Sequence, residues 1–188
     1  MRKILRTHRS LLRNLCVAVQ VSVLAASVYG CTSAPPPPTI DLRTAAYEGN
    51  AEEIRRHAAH GSNLNEKSPD GGTPLIPAAT FNHLEAVKAL VEGGADLNLT
   101  NNDGSTALLT AAFFCRTEVV QFLLDAGADK SIRNNAGSTA LETVELPFED
   151  VKPIYDLVEA ILGPLGLTLD YEHIKATRPD IAAMLRQT

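Results

Sequence analysis

The sequence lacks the short patterns that carry chemistry. It has no glycine-rich phosphate loop, no helix with histidines spaced for a metal, and no serine in a nucleophile elbow. Adjacent carboxylates such as Glu52-Glu53 point to different sides of a helix, so they do not form a general acid and base across a cleft. His57 and His60 are three apart but have no third ligand in view, short of the three or four a stable zinc site takes. Catalysis is not expected, and no metal or cofactor is implied. Basic side chains are scarce as well. Of 17 basic and 22 acidic residues, five basic and no acidic ones lie in the first thirty positions; twelve basic and twenty-two acidic remain, a net charge near −10. That balance excludes nucleic acid, whose phosphates need a basic footprint.

A long apolar run is also missing. Arg2, Lys3, Arg6, Arg9 and Arg13 precede a mostly apolar stretch from Leu15 to Val28, and only seventeen residues separate Arg13 from Cys31. This is shorter than the roughly 20 apolar residues of a spanning helix and has the layout of a secretory signal. Its end, Val28-Tyr29-Gly30-Cys31, resembles a bacterial lipobox, with the bulky Tyr29 a departure. The resemblance implies removal of residues 1–30 and acylation of Cys31, palmitate included, which anchors the chain by about 0.8 kcal/mol per buried CH₂. Thr32 in place of aspartate after the cysteine implies an outer-membrane lipoprotein facing the periplasm. The other reading, an ordinary signal cut elsewhere, leaves Cys31 free. Cysteine usage agrees with export under lipidation: Cys16 leaves with the signal and Cys31 is taken by lipid, so Cys115 has no disulfide partner. Cys115 reads either as a buried inert thiol or as a redox sensor. Residues 31–38 end in Pro35-Pro36-Pro37-Pro38, which favours an extended polyproline II tether of about 3.1 Å per residue. A plain leader without a spacing role is the alternative.

What the sequence does have is a repeat. Thr73-Pro74-Leu75, Thr106-Ala107-Leu108 and Thr139-Ala140-Leu141 are spaced by 33 residues, as are Ala78-Ala79 and Ala111-Ala112, Val87 and Val120, Leu90 and Leu123, and Gly94-Ala95-Asp96 and Gly127-Ala128-Asp129. One step earlier lie Ala45-Ala46, Ile54 and Gly61-Ser62-Asn63-Leu64-Asn65. Such a period marks a solenoid of stacked supersecondary units. Within a unit, Thr73 is placed to cap a first helix with Pro74 at its first position. Asn82 falls at a chain reversal that suits the left-handed conformation, where its counterparts are Gly49 and the less suitable Cys115. Leu84, Val87, Leu90 and Val91 form the apolar stripe of a second helix, which Gly93-Gly94 ends.

Asp70-Gly71-Gly72-Thr73-Pro74-Leu75, Ala78-Ala79, Asn82-His83-Leu84-Glu85, Leu90-Val91 and Gly94-Ala95-Asp96-Leu97-Asn98 together resemble the ankyrin repeat, a β-turn followed by two helices. The resemblance implies an all-α solenoid of helix-turn-helix units with β-turn tips, preceded here by the signal peptide and the proline-rich linker. It makes His83 a packing residue. Ile76, Leu109 and Glu142 stand where the family has a turn-stabilising histidine, so those histidine hydrogen bonds are expected to be absent. The units are a degenerate repeat at 39–69, repeats at 70–102 and 103–135, and a divergent repeat with a C-terminal helical cap at 136–188. In the first unit, His57 replaces Leu90 and is expected on the outward face of a terminal cap. In the last, Pro147 breaks the first helix, Glu149-Asp150 opens a long second helix over about 151–162, Gly163-Pro164-Leu165-Gly166 stops it, and a final helix is expected from Pro179-Asp180.

In this architecture the turn tips and first helices make a concave face. The tips offer Lys67, Asn101, Asn102, Arg133 and Asn134. The ends of the first helices offer Tyr47, Phe81, Phe113 and Phe114, four of only nine aromatic residues in the chain. Exposed aromatics beside polar groups are typical interface anchors. Packing between repeats is the alternative for Phe81 and Phe114. The expected protein is a monomeric, lipid-anchored module that captures a protein partner; an envelope scaffold without a high-affinity ligand is the second reading. The resemblance also brings in exported ankyrin proteins that support oxidative-stress defence or neutralise toxins.

Overall fold

The structure, a computed structural model, describes residues 35 to 187; the signal peptide assigned to residues 1–30 and the acylation assigned to Cys31 lie outside the described residues. The elements are α1 (Leu42–Glu48), α2 (Ala51–Ala59), α3 (Leu75–Thr80), α4 (Leu84–Glu92), α5 (Ala107–Phe113), α6 (Thr117–Asp125), α7 (Ala140–Glu145), α8 (Phe148–Leu162) and α9 (Tyr171–Gln187). No strand occurs among the described residues. No described helix is long and apolar enough to cross a membrane.

Small residues set the spacing of the inner row. Ala45, Ala46, Ala78, Ala79, Ala111 and Ala112 are fully buried, and α1, α3, α5 and α7 pack side by side through them. Larger side chains fill the gap to the outer row, α2, α4 and α6, where Ile54, Val87, Leu90, Val120 and Leu123 have no exposure. Each such leucine removed from water contributes about 2 kcal/mol. Several helices start on polar caps: Asp41 accepts from Thr44 N, Asn50 from Glu53 N, and Thr106 from Leu109 N. Thr139 and Glu142 form a reciprocal capping box. Thr73 departs from the expectation. It is buried and makes no side-chain bond to the first turn of α3, where Pro74 takes the cap position.

Each reversal between inner and outer helix uses one left-handed residue, Gly49 at φ 72°, Asn82 at 61° and Cys115 at 52°. The tips are stitched by hydrogen bonds that repeat with the sequence. Asn102 N donates to Asp70 O and Asn135 N to Asp103 O, both at 2.9 Å, while Asn102 Nδ2 reaches Pro69 O and Asn135 Nδ2 reaches Asn102 O. Glycine is required beneath them. Gly71 and Gly104 have φ of 74° and 73°, and a Cβ there would come within 2.3 Å and 2.8 Å of the Asn102 and Asn135 side-chain oxygens.

His57 does not face outward. It is buried, with Nε2 2.8 Å from Ile40 O and Nδ1 3.0 Å from Ser62 Oγ, so both ring nitrogens are satisfied and the ring occupies the space filled by Leu90 in the next unit. Glu53 beside it accepts from the Thr39 amide at 2.7 Å. Together they pin the entry of the chain to α2.

The fourth unit departs most. The long helix α8 ends at Leu162 as expected but begins at Phe148, three residues early, and does not fill the outer row. That place belongs to α9, which packs on α6 and α7 and adds Ile181, Ala182 and Leu185 to the main core. α9 starts at Tyr171 and carries Pro179 inside it, eight residues after the helix begins, so the expected start at Pro179 is wrong. The cause of the diversion lies at the corner. Proline disfavours helical backbone in the residue before it, and Leu146 before Pro147 takes the extended conformation, φ −58° and ψ 144°. Where the other units turn back through a left-handed residue, this chain leaves in a different direction. α8 then buries Val151 and Tyr155 in a second cluster with Phe114, Cys115, Leu167 and Ile174.

Candidate binding groove

The α8 insertion turns the concave side of the stack into a groove of about 400 Å³. Its floor is built from the inner helices and the residues that end them: Tyr47, Pro77, Phe81, Leu109, Thr110 and Phe113. The tips supply Asn101, Ser105, Asn134 and Ser138 along one rim, and α8 supplies Ile154, Val158 and Leu162 as a wall.

Aromatic positions on the floor are fixed by the repeat. The carbonyls that close an inner helix lack intrahelical donors, and a side chain from the next unit supplies them. His83 Nε2 lies 2.9 Å from Tyr47 O, Arg116 Nε donates to Thr80 O at 3.1 Å, and the Tyr155 hydroxyl donates to Phe113 O at 2.6 Å. His83 is thus a packing residue that also holds the Phe81 ring, stacked at 6.1 Å, and Tyr47 meets Phe81 edge-on at 5.6 Å. Arg116 has its pKa lowered by burial, with its charge above the Phe114 ring.

The proposed anchors separate into groups. Tyr47, Phe81 and Phe113 are half-buried on the floor, while Phe114 lines it from a position only 6% exposed, packed with Tyr155. Asn101 and Asn134 reach the groove, but their side-chain oxygens also accept from Ser105 N and Ser138 N, which shapes the tips. Asn102 belongs to the tip ladder. Lys67 and Arg133 are exposed outside the groove: Lys67 Nζ donates to Thr100 O at 3.0 Å, and Arg133 pairs with Glu142 at 2.6 Å. The wall residues Ile154, Val158 and Leu162 were not among the expected contacts. Their four-residue spacing is plain in the sequence, but it has the same form as a core-facing stripe.

Cys115 is 3% exposed, and burial pushes its thiol up to about 11, which keeps it protonated at neutral pH. Among the described residues no group of three His, Cys, Asp or Glu side chains is placed to hold a metal.

These features define a helix-pair solenoid with an inserted helix beside its concave face. Residues 42–134 match the family model for ankyrin repeats in three copies, so the repeating part of this chain is an ankyrin-repeat array. Ankyrin repeats generally mediate protein–protein interaction. No curated protein matches the chain.

Proposed function

We propose that this protein is a non-catalytic, lipid-anchored module of the outer membrane, facing the periplasm, that captures a protein partner in the groove between the inner helices and α8. The observation that carries the reading is the groove itself, with Tyr47, Phe81 and Phe113 half-buried on its floor beside polar tips. A rigid floor of this kind loses little conformational entropy on binding. The address at the N-terminus supports the membrane assignment: a basic start, a short apolar run and Cys31 in a lipobox-like setting. Stress defence beside periplasmic enzymes and neutralisation of a delivered toxin are the two settings that suit such a module.

The test is site-specific photocrosslinking from position 81 in intact envelopes. A partner is expected to crosslink there and not from Lys88 on α4, and Tyr47→Ser with Phe81→Ala is expected to abolish the adduct. Phe114→Ala is a poor choice for this purpose, since Phe114 is buried against Tyr155. For the anchor, Cys31→Ser is expected to remove palmitate labelling and release the protein from the membrane fraction. An unlabelled wild-type protein would reject the anchor independently of the groove.

A further inference from the structure

The groove has one sign of charge. Asp70 and Asp103 are the charged residues among its lining groups, both exposed on the tips, and no lysine or arginine joins them. Facing these acids is an apolar wall that continues past the groove. Among the described residues the exposed large hydrophobic side chains are Leu146, Ile154, Leu157, Ile161 and Leu165, 43 to 61% exposed, and all lie on α8 or its flanks. Ile154, Leu157, Val158 and Ile161 recur at three- and four-residue intervals, so they form one stripe on the helix. Only the edge of α8 that carries Val151 and Tyr155 is buried. An exposed apolar patch concentrated on one segment marks an interaction surface.

We propose that the groove accepts a segment of a partner protein with apolar side chains along one side and lysine or arginine along the other. This rests on the reading of the groove as a protein-binding site and adds the chemistry of the occupant. The apolar side lies against Ile154, Val158 and Phe81; the basic side meets Asp70 and Asp103. Charge decides among possible occupants. Residues beyond the first thirty carry a net charge near −10, so a second copy of this chain brings like charge to an acidic rim, as does an anionic lipid surface. A cationic segment is drawn to it and fixed in register by the two carboxylates.

The experiment titrates two fluorescein-labelled peptides against the full chain in neutral detergent, with micelles alone as blank. One peptide has leucines at three- and four-residue spacing and lysines between them; the other has glutamate in place of every lysine. The lysine peptide is expected to bind and the glutamate peptide to fail. Asp70→Asn with Asp103→Asn is expected to weaken the lysine peptide about fivefold at low salt and to flatten its salt dependence. Ile154→Ser is expected to weaken it about tenfold, with the thermal transition retained because Ile154 is half-exposed. Equal binding of both peptides, or no effect of the aspartate substitutions, overturns the proposal. So does a dimer in sedimentation that Leu157→Ser dissociates, or flotation with anionic vesicles that depends on the α8 stripe. If position 81 still crosslinks a protein while the two peptides bind alike, the binding-module reading stands and the cationic-segment assignment falls.

Discussion

Arg178 donates from Nη1 to the hydroxyl of Tyr155 at 3.1 Å, and both side chains are buried. The Tyr155 hydroxyl in turn donates to Phe113 O, the last carbonyl of α5, and Arg178 Nη2 donates to Thr143 O and Leu146 O at the end of α7. With His83 and Arg116, every inner helix therefore ends on a side-chain donor from a later element. The Arg178 acceptors are all neutral, so the helix C-terminus, with its partial negative charge, provides the compensation for the buried cation.

Removing that guanidinium leaves two carbonyls and a phenol without donors. Arg178→Met is expected to destabilise the protein by about 3 kcal/mol. Arg178→Lys recovers little of this, because one ammonium cannot match the planar fork. The check is the denaturant midpoint of each variant at constant slope.

The stack was legible because its signal is periodic: the alanine pairs at 78–79 and 111–112 and the leucines at 90 and 123 each specify one face, and 33-residue recurrence repeats the message. The fourth unit was not legible for a physical reason. Both α8 and α9 are amphipathic, and either stripe could have covered α7. The choice was made by the Leu146-Pro147 corner, whose backbone effect is local but whose consequence is a redirected helix. Phe114 followed from that choice. As an end residue of a first helix it could face a partner or the interior, and Tyr155 on the inserted helix buries it. His57 is buried although its polarity points to exposure, because one acceptor, Ile40 O at 2.8 Å, and one hydroxyl, Ser62 Oγ at 3.0 Å, together satisfy a neutral imidazole.

Alkaline solution is expected to destabilise the second cluster. Burial raises the Cys115 thiol from 9.0 to about 11 and the Tyr155 phenol from 10.0 to about 12. Each group binds its proton more tightly folded than unfolded, so stability is intact below pH 9 and falls as pH rises through the window from 9 to 12. The slope is on the order of 1 kcal/mol per pH unit for each group while the unfolded state alone is ionised. Cys115→Ala should flatten the first part of that fall, between pH 9 and 11, in equilibrium unfolding followed by circular dichroism.

Acid acts on the α7 terminus in the opposite sense. Hydrogen bonds from Arg133 and then from the Thr139 amide hold the Glu142 carboxyl down from 4.5 to about 2. The folded state releases this proton more readily than the unfolded one, so the contribution is present above pH 4.5 and is lost as pH falls towards 2. Glu142→Gln should lower stability at pH 7 and reduce the dependence on pH in that window, whereas Arg133→Gln should shift the acid transition to higher pH by removing the first of the two causes.

Cys115 lies in the left-handed region with φ 52° at the turn where Gly49 and Asn82 serve in the earlier units. A side chain other than glycine or asparagine costs roughly 1 kcal/mol in that conformation. The thiol offsets this by packing in the cluster of Phe114, Tyr155 and Ile174. Alanine loses the sulfur contacts and keeps the strained backbone; glycine loses the same contacts but relieves the strain, though it gives the unfolded chain more freedom. Cys115→Gly should therefore be less destabilising than Cys115→Ala by about 0.5 kcal/mol, the reverse of their order inside a helix. Chemical denaturation of the two variants side by side decides it, and a more stable alanine variant would mean that the turn relaxes away from the left-handed geometry when the sulfur is removed.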